Sequence, residues 1–376
     1  MNLAVFDIQH YEMVHVLHSV FDDPENNITF FTNASLLKKI RASELASRPF
    51  SSVVLNDFKD LREFLDACLE HVKANKIEAI IFNTIDGNYK LVWKFVRQLE
   101  IPVIVTLHNI NTWLRPPVTF NKKALGYYYY RRKIISRTSA IIVQEELFID
   151  YVKTKTRYRK PVFALPHTLK EKEIVPATNA KLTIAIPGAV DGHRRDYAFA
   201  VSAIQHACEG NPDLRFIIIG DVIGHLGTAI FEKIKALQKR GYDISQVYDS
   251  SSNKLFDEQM SACHIVFLPL KVNTKYEGIN EVYGQSKVTG VLYDLMRFQK
   301  PGIAPVELVI PPTMKDSVIT YRNEEEFIGA VNSIQKNKEE LMKLAANARK
   351  NSEYYAVENI RKRFLPSFRE LITQKT

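Results

Sequence analysis

The chain has 376 residues, 46 % hydrophobic and 25 % charged, which is the balance of a soluble globular protein and long enough for two or three domains. This excludes disordered, collagen-like and disulfide-scaffold classes, and three scattered cysteines (Cys68, Cys208, Cys263) without metal spacing point to a reducing compartment. The formal charge of +9 is uneven: between Arg115 and Lys160 twelve Lys or Arg face only Glu145, Glu146 and Asp150, which calls for an anionic partner.

The first residues lack the basic start and apolar run of a signal peptide and read as a strand. No stretch reaches the roughly 18 apolar residues of a spanning helix, so a cytoplasmic protein is expected. Apolar runs predict strands over 3–6, 28–31, 52–55, 79–82, 103–107, 140–143 and 162–165, separated by amphipathic stretches such as 61–72 and 89–99. Buried β-branched runs alternating with helices signal a parallel sheet covered on both faces. His10, Glu12, His15 and His18 fall on the first helix. His15 and His18 are i,i+3 neighbours, but no further ligand follows at metal spacing, so a polar helix face or cleft lining is the simpler reading.

Around 170–181 the chain turns polar and loses its periodicity, as a linker does. Strands resume over 182–186, 216–219, 244–248, 265–268, 302–304 and 318–321, with helices over 197–208, 229–240 and 285–298. From 338 to 372 the pattern is helical throughout. The expected architecture is α/β, two Rossmann-like domains (1–172 and 181–350) with parallel sheets facing across a cleft, then a terminal segment 351–376. Ligands of such sheets sit beyond the carboxyl ends of the strands.

Two segments at strand ends could carry chemistry. In 186–196 a strand gives way to Gly188, Gly192, Arg194 and Arg195 ahead of a helix, an arrangement suited to phosphate; the plainer reading is a turn with solvated arginines. In 281–294, Glu281 precedes Tyr283, Gly284, Lys287 and Asp294. With Lys287 and Asp294 seven residues apart on one helix, both share a face, and a carboxylate there can accept two ribose hydroxyls; a salt link along the helix explains the same spacing. His108 follows a buried strand and reads equally as a bonded core histidine. The loop of Gly220, Gly224 and Gly227 lacks the dinucleotide spacing, and base recognition would fall near 248–252.

These residues carry a resemblance. Gly188 and Arg194, then Tyr283, Gly284, Lys287, Gly290, Asp294 and Pro301 in that order, resemble the donor half of retaining GT-B glycosyltransferases, in particular glycosyltransferase family 4. The segments 105–109, 141–144 and 165–167 are similar to strand ends in the first domain of such enzymes. The pattern departs at the paired glutamates: a short insertion makes Glu281 and Asp294 the pair. The resemblance implies Gly188, Arg194 and Lys287 at the donor diphosphate, Asp294 at the ribose, and His108 and Glu281 as catalytic residues at the transferred sugar. It also implies a terminal helix crossing back to the first domain, and no metal or other cofactor.

The stretch 121–137 combines Lys and Arg with four consecutive tyrosines. It suits the interface of an anionic membrane, which such enzymes use to reach lipid-linked acceptors. A helix packing its tyrosines is the plain alternative, and nucleic acid is the least favoured partner. The expected function is a hexosyltransferase-type glycosyltransferase (EC 2.4) of polysaccharide biosynthesis, peripheral at the inner membrane face. It would move a sugar from a nucleotide-diphosphate donor to a glycan or lipid-linked acceptor, with retention. The rivals are a catalytically silent GT-B-like subunit that binds a glycan or protein, and a sugar-nucleotide epimerase.

Overall fold

The structure is a computed structural model and describes residues 1–42, 50–170, 173–174, 180–247 and 253–374. Its first sheet holds β1 (Asn2–Phe6), β2 (Asn27–Thr32), β3 (Ser51–Val54), β4 (Ala79–Phe82), β5 (Val103–Thr106), β6 (Ala140–Val143) and β7 (Val162–Ala164). They run parallel in the order β3-β2-β1-β4-β5-β6-β7. The helices here are α1 (Tyr11–Phe21), α2 (Ala34–Ala42), α3 (Leu61–Ala74), α4 (Tyr89–Val96), α5 (Ile110–Leu114), α6 (Lys122–Arg137) and α7 (Glu146–Lys155). Strands such as β4 and β6 are buried at every residue, because helices cover both faces and leave no polar side to alternate with. Local chemistry marks the helix starts. Asp60, ahead of α3, accepts the backbone N–H groups of Arg62 and Glu63.

The second sheet contains β8 (Leu182–Pro187), β9 (Leu214–Ile219), β10 (Ile244–Val247) and β11 (Ile265–Phe267). A separate antiparallel hairpin follows, β12 (Asn273–Tyr276) and β13 (Ile279–Val282), before β14 (Gly302–Pro305) and β15 (Val318–Tyr321) complete the sheet. The order β10-β9-β8-β11-β14-β15 repeats the winding of the first sheet. Its helices are α8 (Tyr197–Cys208), α9 (Gly224–Lys239), α10 (Asn253–Ala262), α11 (Gly290–Arg297), α12 (Glu324–Lys336) and α13 (Lys338–Ser352). The last helix, α14 (Val357–Thr373), leaves this domain and sets Ile360, Phe364, Phe368 and Ile372 in one apolar cluster with Val14, Leu17 and Phe21 of α1. Arg361 donates to the carbonyls of Ser19, Val20 and Asp22, satisfying the open end of α1.

Three expectations need correction. The helix expected over 285–298 begins only at Gly290, because Ser286 and Lys287 turn back on the carbonyl of Val282. Lys287 therefore lies in the loop ahead of the helix and shares no helical face with Asp294. The helical pattern of 338–372 is two helices, broken where Glu353–Tyr355 form a short turn that buries Tyr355. The third concerns the cation run of α6. Arg131 is 1 % exposed, set against the rings of Tyr89, Trp113 and Tyr127 and paired with Glu277 at the hairpin tip. It joins the domains and faces no membrane.

Strand order reverses between β1 and β4 in one sheet and between β8 and β11 in the other. Crevices for ligands open at those points, beyond the strand ends, and there the two domains meet.

Candidate functional site in the interdomain cleft

On the first-domain side, each strand end delivers a polar group. Asp7, after β1, accepts the side chains of Asn83 and Thr84, which follow β4, and the backbone N–H groups of Gln9 and His10. Burial nonetheless raises its pKa. His108, after β5, donates from Nε2 to the carbonyl of Asn83 at 2.9 Å, which leaves Nδ1 as an acceptor. Its ring stacks on His10 (5.1 Å between centroids) and meets His167 edge-on (5.8 Å). Burial, with His167 and His10 adding positive potential, pushes the His108 pKa down to about 3. His167, after β7, falls to about 4, burial again leading. Both rings are neutral at physiological pH. His167 stacks in turn on Tyr293 of α11, whose hydroxyl donates to the carbonyl of Gln144. His18 is not part of this row; it packs between Phe30 and Phe50.

The second domain brings its loops to the same place. Gly188 has φ +95°, and a Cβ there would lie 1.9 Å from Nη2 of Arg195. That guanidinium lies beneath the loop, donating to the carbonyls of Pro187 and Ala189 at 2.8 and 3.2 Å. Arg194 points outward, half-exposed, with Nε on Asp191 at 2.5 Å. Lys287 is pinned through its backbone in an antiparallel bridge with Asn109 of the first domain. Its ammonium lies 5.2 Å from the Tyr276 ring centroid and 5.6 Å from that of Tyr283. Burial lowers its pKa, against the pull of Glu281 and with the push of Arg194. Among the described residues no acceptor is hydrogen-bonded to this ammonium.

Glu281 is fully buried and committed. Oε1 accepts the backbone N–H and the hydroxyl of Thr112, both at 2.8 Å; Oε2 accepts the Ser286 hydroxyl at 2.5 Å and the Asn111 N–H at 3.4 Å. The carboxylate thus closes the first turn of α5 across the domain boundary, where donors and helix dipole favour it. Asn111 reinforces the joint by donating to the carbonyl of Asn280 at 2.9 Å. Asp294 lies half-buried on α11, and among the described residues no donor is bonded to its side chain. Burial pushes its pKa up to about 7; Arg297 and Arg195 oppose that shift and Glu12 adds to it.

His108, Lys287 and Arg194 therefore share one electrostatic environment at the cleft. Asp294 lies with Arg195 and Glu12, Gly188 lies over Arg195, and Glu281 is set apart in the domain joint. The segment 248–252, where base recognition was expected, lies outside the described residues. Asp7, Asn83, Thr84, His167 and Tyr293 were not singled out as site residues; all but Tyr293 follow strand ends, the signal that could have found them, while Arg195, read with Arg194 as a phosphate-facing cation, instead donates to carbonyls of its own loop. Among the described residues no three His, Cys, Asp or Glu side chains stand so as to hold a metal ion, and no helix is long and apolar enough to cross a membrane. All three cysteines are buried free thiols with raised pKa values, which makes them poor nucleophiles.

No protein-family model matches the sequence, nor does any curated protein at a significant level. Solved structures do match it over its whole length. Sucrose-phosphate synthase from Thermosynechococcus elongatus has a TM-score of 0.67 at 12 % identity, covering 100 % of both chains. HepE from Anabaena, solved with UDP and glucose, has 0.65 at 13 % identity over 99 % of each chain. A protein of Listeria monocytogenes assigned as a UDP-N-acetylglucosamine 2-epimerase has 0.64 at 13 % identity, over 99 % of this chain and 97 % of that one. The fold is the GT-B fold of two facing Rossmann-like domains.

Proposed function

We propose that this GT-B chain is a glycosyltransferase that binds a nucleotide-diphosphate sugar in the cleft and passes the sugar to a glycan or lipid-linked acceptor with retention. Lys287 carries the proposal: a half-buried lysine whose ammonium has no bonded acceptor among the described residues, next to Arg194 and across from His108. Partial withdrawal of a cation from water without a partner carries a cost, and a diphosphate between Lys287 and Arg194 would relieve it. The fold likeness to HepE, which was solved with UDP and glucose, agrees with this reading.

The proposal gives each residue a role. The two cations stabilise negative charge on the departing diphosphate. Gly188, without a Cβ, leaves room for the Arg195 guanidinium beneath the loop, which sets the loop that would receive the phosphates. Asp294 receives the ribose hydroxyls. His108, neutral and donating through Nε2, offers Nδ1 to a sugar hydroxyl. In the transfer step the bond from the anomeric carbon to the phosphate oxygen breaks, and the acceptor oxygen bonds to that carbon on the same face. The acceptor proton goes to the departing phosphate oxygen, so no carboxylate nucleophile is needed. Glu281 then serves by holding the domains together, a role we prefer to direct contact with the sugar.

The test is turnover of UDP-, GDP-, ADP- and dTDP-sugars with a panel of glycan and polyprenyl-phosphate acceptors. Transfer from one donor, lost in Lys287→Ala, is the expected result. A second reading, a binding subunit without transfer, draws support from the full commitment of Glu281. It predicts nucleotide binding with no product. Conversion of the donor with no acceptor present would identify an epimerase instead.

A further inference from the structure

A cavity of about 400 Å³ lies beside the two chain crossings that join the domains, walled by the start of α7, the strand β7 and the helix α14. The crossings are tied together there: Lys170, on the way out of the first domain, donates its backbone N–H to the carbonyl of Tyr355, on the way back, at 2.9 Å. β7 is the edge strand of its sheet and half-buried at every residue, where β4 and β6 are buried throughout. The buried end of the cavity is polar and incomplete. Gln144, 1 % exposed, lines it, and neither Oε1 nor Nε2 of its amide has a hydrogen-bond partner among the described residues. Glu145 beside it accepts the Tyr355 hydroxyl at 3.3 Å and, with its pKa raised to about 8 by burial, keeps its proton at neutral pH. The exposed residues at the mouth carry both signs of charge, Glu146 and Asp150 on α7 against Arg363 on α14, with Ser367 a turn further on. Between mouth and floor, Phe163 and Phe364 meet edge to face at 5.8 Å and Ile149 adds an aliphatic surface.

We propose that this cavity is a second ligand site, separate from the cleft, that takes a neutral saccharide of one or two rings. The hydrogen-bonding inventory selects that chemistry. A buried amide left unpaired at both ends is costly, and the ligand that relieves it must donate to Oε1 and accept from Nε2. A hydroxyl does both, and a protonated Glu145 can likewise donate and accept. An ammonium would leave Nε2 unpaired and meet Arg363. A phosphate or carboxylate would leave Oε1 unpaired and meet Glu146 and Asp150. The aromatic and aliphatic walls suit the C–H faces of a sugar ring, and the volume lies in the range of small-molecule sites. Two rings stand between the cavity and the cleft: Tyr355 meets Tyr293 edge-on at 6.4 Å, and Tyr293 stacks on His167 on the cleft side at 5.8 Å. The inference goes beyond the catalytic proposal and does not depend on it.

The test is titration of the full chain, followed by saturation-transfer NMR, with glucose, galactose, N-acetylglucosamine, maltose and sucrose, and with glucosamine and glucose 6-phosphate as charged counterparts. At least one neutral saccharide should bind, and the charged forms should bind at least about tenfold more weakly. Gln144→Leu keeps the side-chain volume but removes both hydrogen bonds, and should weaken binding at least about tenfold. Because the amide has no partner within the protein, the same substitution should leave the thermal midpoint unchanged or raise it. Ser367→Trp fills the exposed mouth and should abolish saccharide binding while nucleotide affinity stays at the wild-type value. Lys287→Ala should leave saccharide affinity unchanged, which separates a failure here from a failure of the catalytic proposal. Absence of binding by every neutral saccharide, equal binding of the charged forms, or a lowered midpoint in Gln144→Leu overturns the inference. So does binding that persists in Gln144→Leu and Ser367→Trp, which would place the saccharide in the cleft.

Discussion

Removing the Glu281 carboxylate tests whether it works as a domain joint or as a sugar contact. In Glu281→Ala the N–H and hydroxyl of Thr112 and the hydroxyl of Ser286 lose an acceptor that binds them at 2.5 to 2.8 Å. Bonds to a charged group are worth about 1.5–3 kcal/mol each. The gain is not additive, because burial raises the pKa of Glu281 and part of the bonding only offsets that desolvation. A net loss of about 3 kcal/mol follows, or roughly 100-fold in the opening equilibrium. The effect should appear as domain opening more than unfolding, since neither sheet core contains Glu281. Amide hydrogen exchange reads it directly: the Asn111 and Thr112 N–H groups should exchange about 100-fold faster, while strand amides of β4 and β11 keep their protection. Glu281→Gln, which retains one carbonyl oxygen for Thr112, should fall between. Unchanged exchange at Asn111 and Thr112 together with lost nucleotide-sugar binding would refute the joint and return Glu281 to the substrate.

Burial raises the pKa of Glu145 to about 8, with Tyr293 and Tyr355 opposing. The folded state therefore binds the proton more tightly than the unfolded chain, so this contribution to stability is present below pH 4.5 and lost as pH rises toward 8. Glu145→Gln should flatten the fall of the melting midpoint between pH 5 and 8; a parallel decline in both proteins would contradict the assignment. Gly188→Ala meets both a left-handed φ and the Arg195 guanidinium, and should cost about 1–3 kcal/mol in denaturant titration. An unchanged midpoint would mean that the loop does not hold this conformation.

The strands were legible because their covering helices leave long apolar runs with no alternation, and all thirteen strands of the two sheets lie where such runs predict them. The β12–β13 hairpin was not. Its first strand alternates between exposed and half-buried, its second buries Ile279 and the polar Glu281, and its partner is α5, some 170 residues away in the chain. Lys287 read as helical because Gln285, Ser286 and Thr289 carry no strong breaker; the backbone turn on Val282 that excludes them is not written in side-chain periodicity. Arg131 looked like one of three equivalent surface cations in composition. Spacing could have set it apart, since Tyr127, Arg131, Ile134 and Ile135 recur at helical intervals toward the buried side. Strand-end position alone located His108 and Gly188, and applied to every strand it would also have found Asp7, Asn83 and His167. Which strand-end side chains are already bonded within the protein, as with Glu281, depends on contacts between distant segments.

The most direct test of the nucleotide-diphosphate site is calorimetric titration with UDP, GDP, ADP and dTDP of the wild-type chain, Lys287→Ala and Arg194→Ala. One nucleotide should bind. Lys287→Ala should weaken it by about ten- to a hundredfold, the worth of a charge-assisted bond. Arg194→Ala should cost less, because that guanidinium is half-exposed and already paired with Asp191. Binding of equal strength in the wild type and in Lys287→Ala would contradict the account.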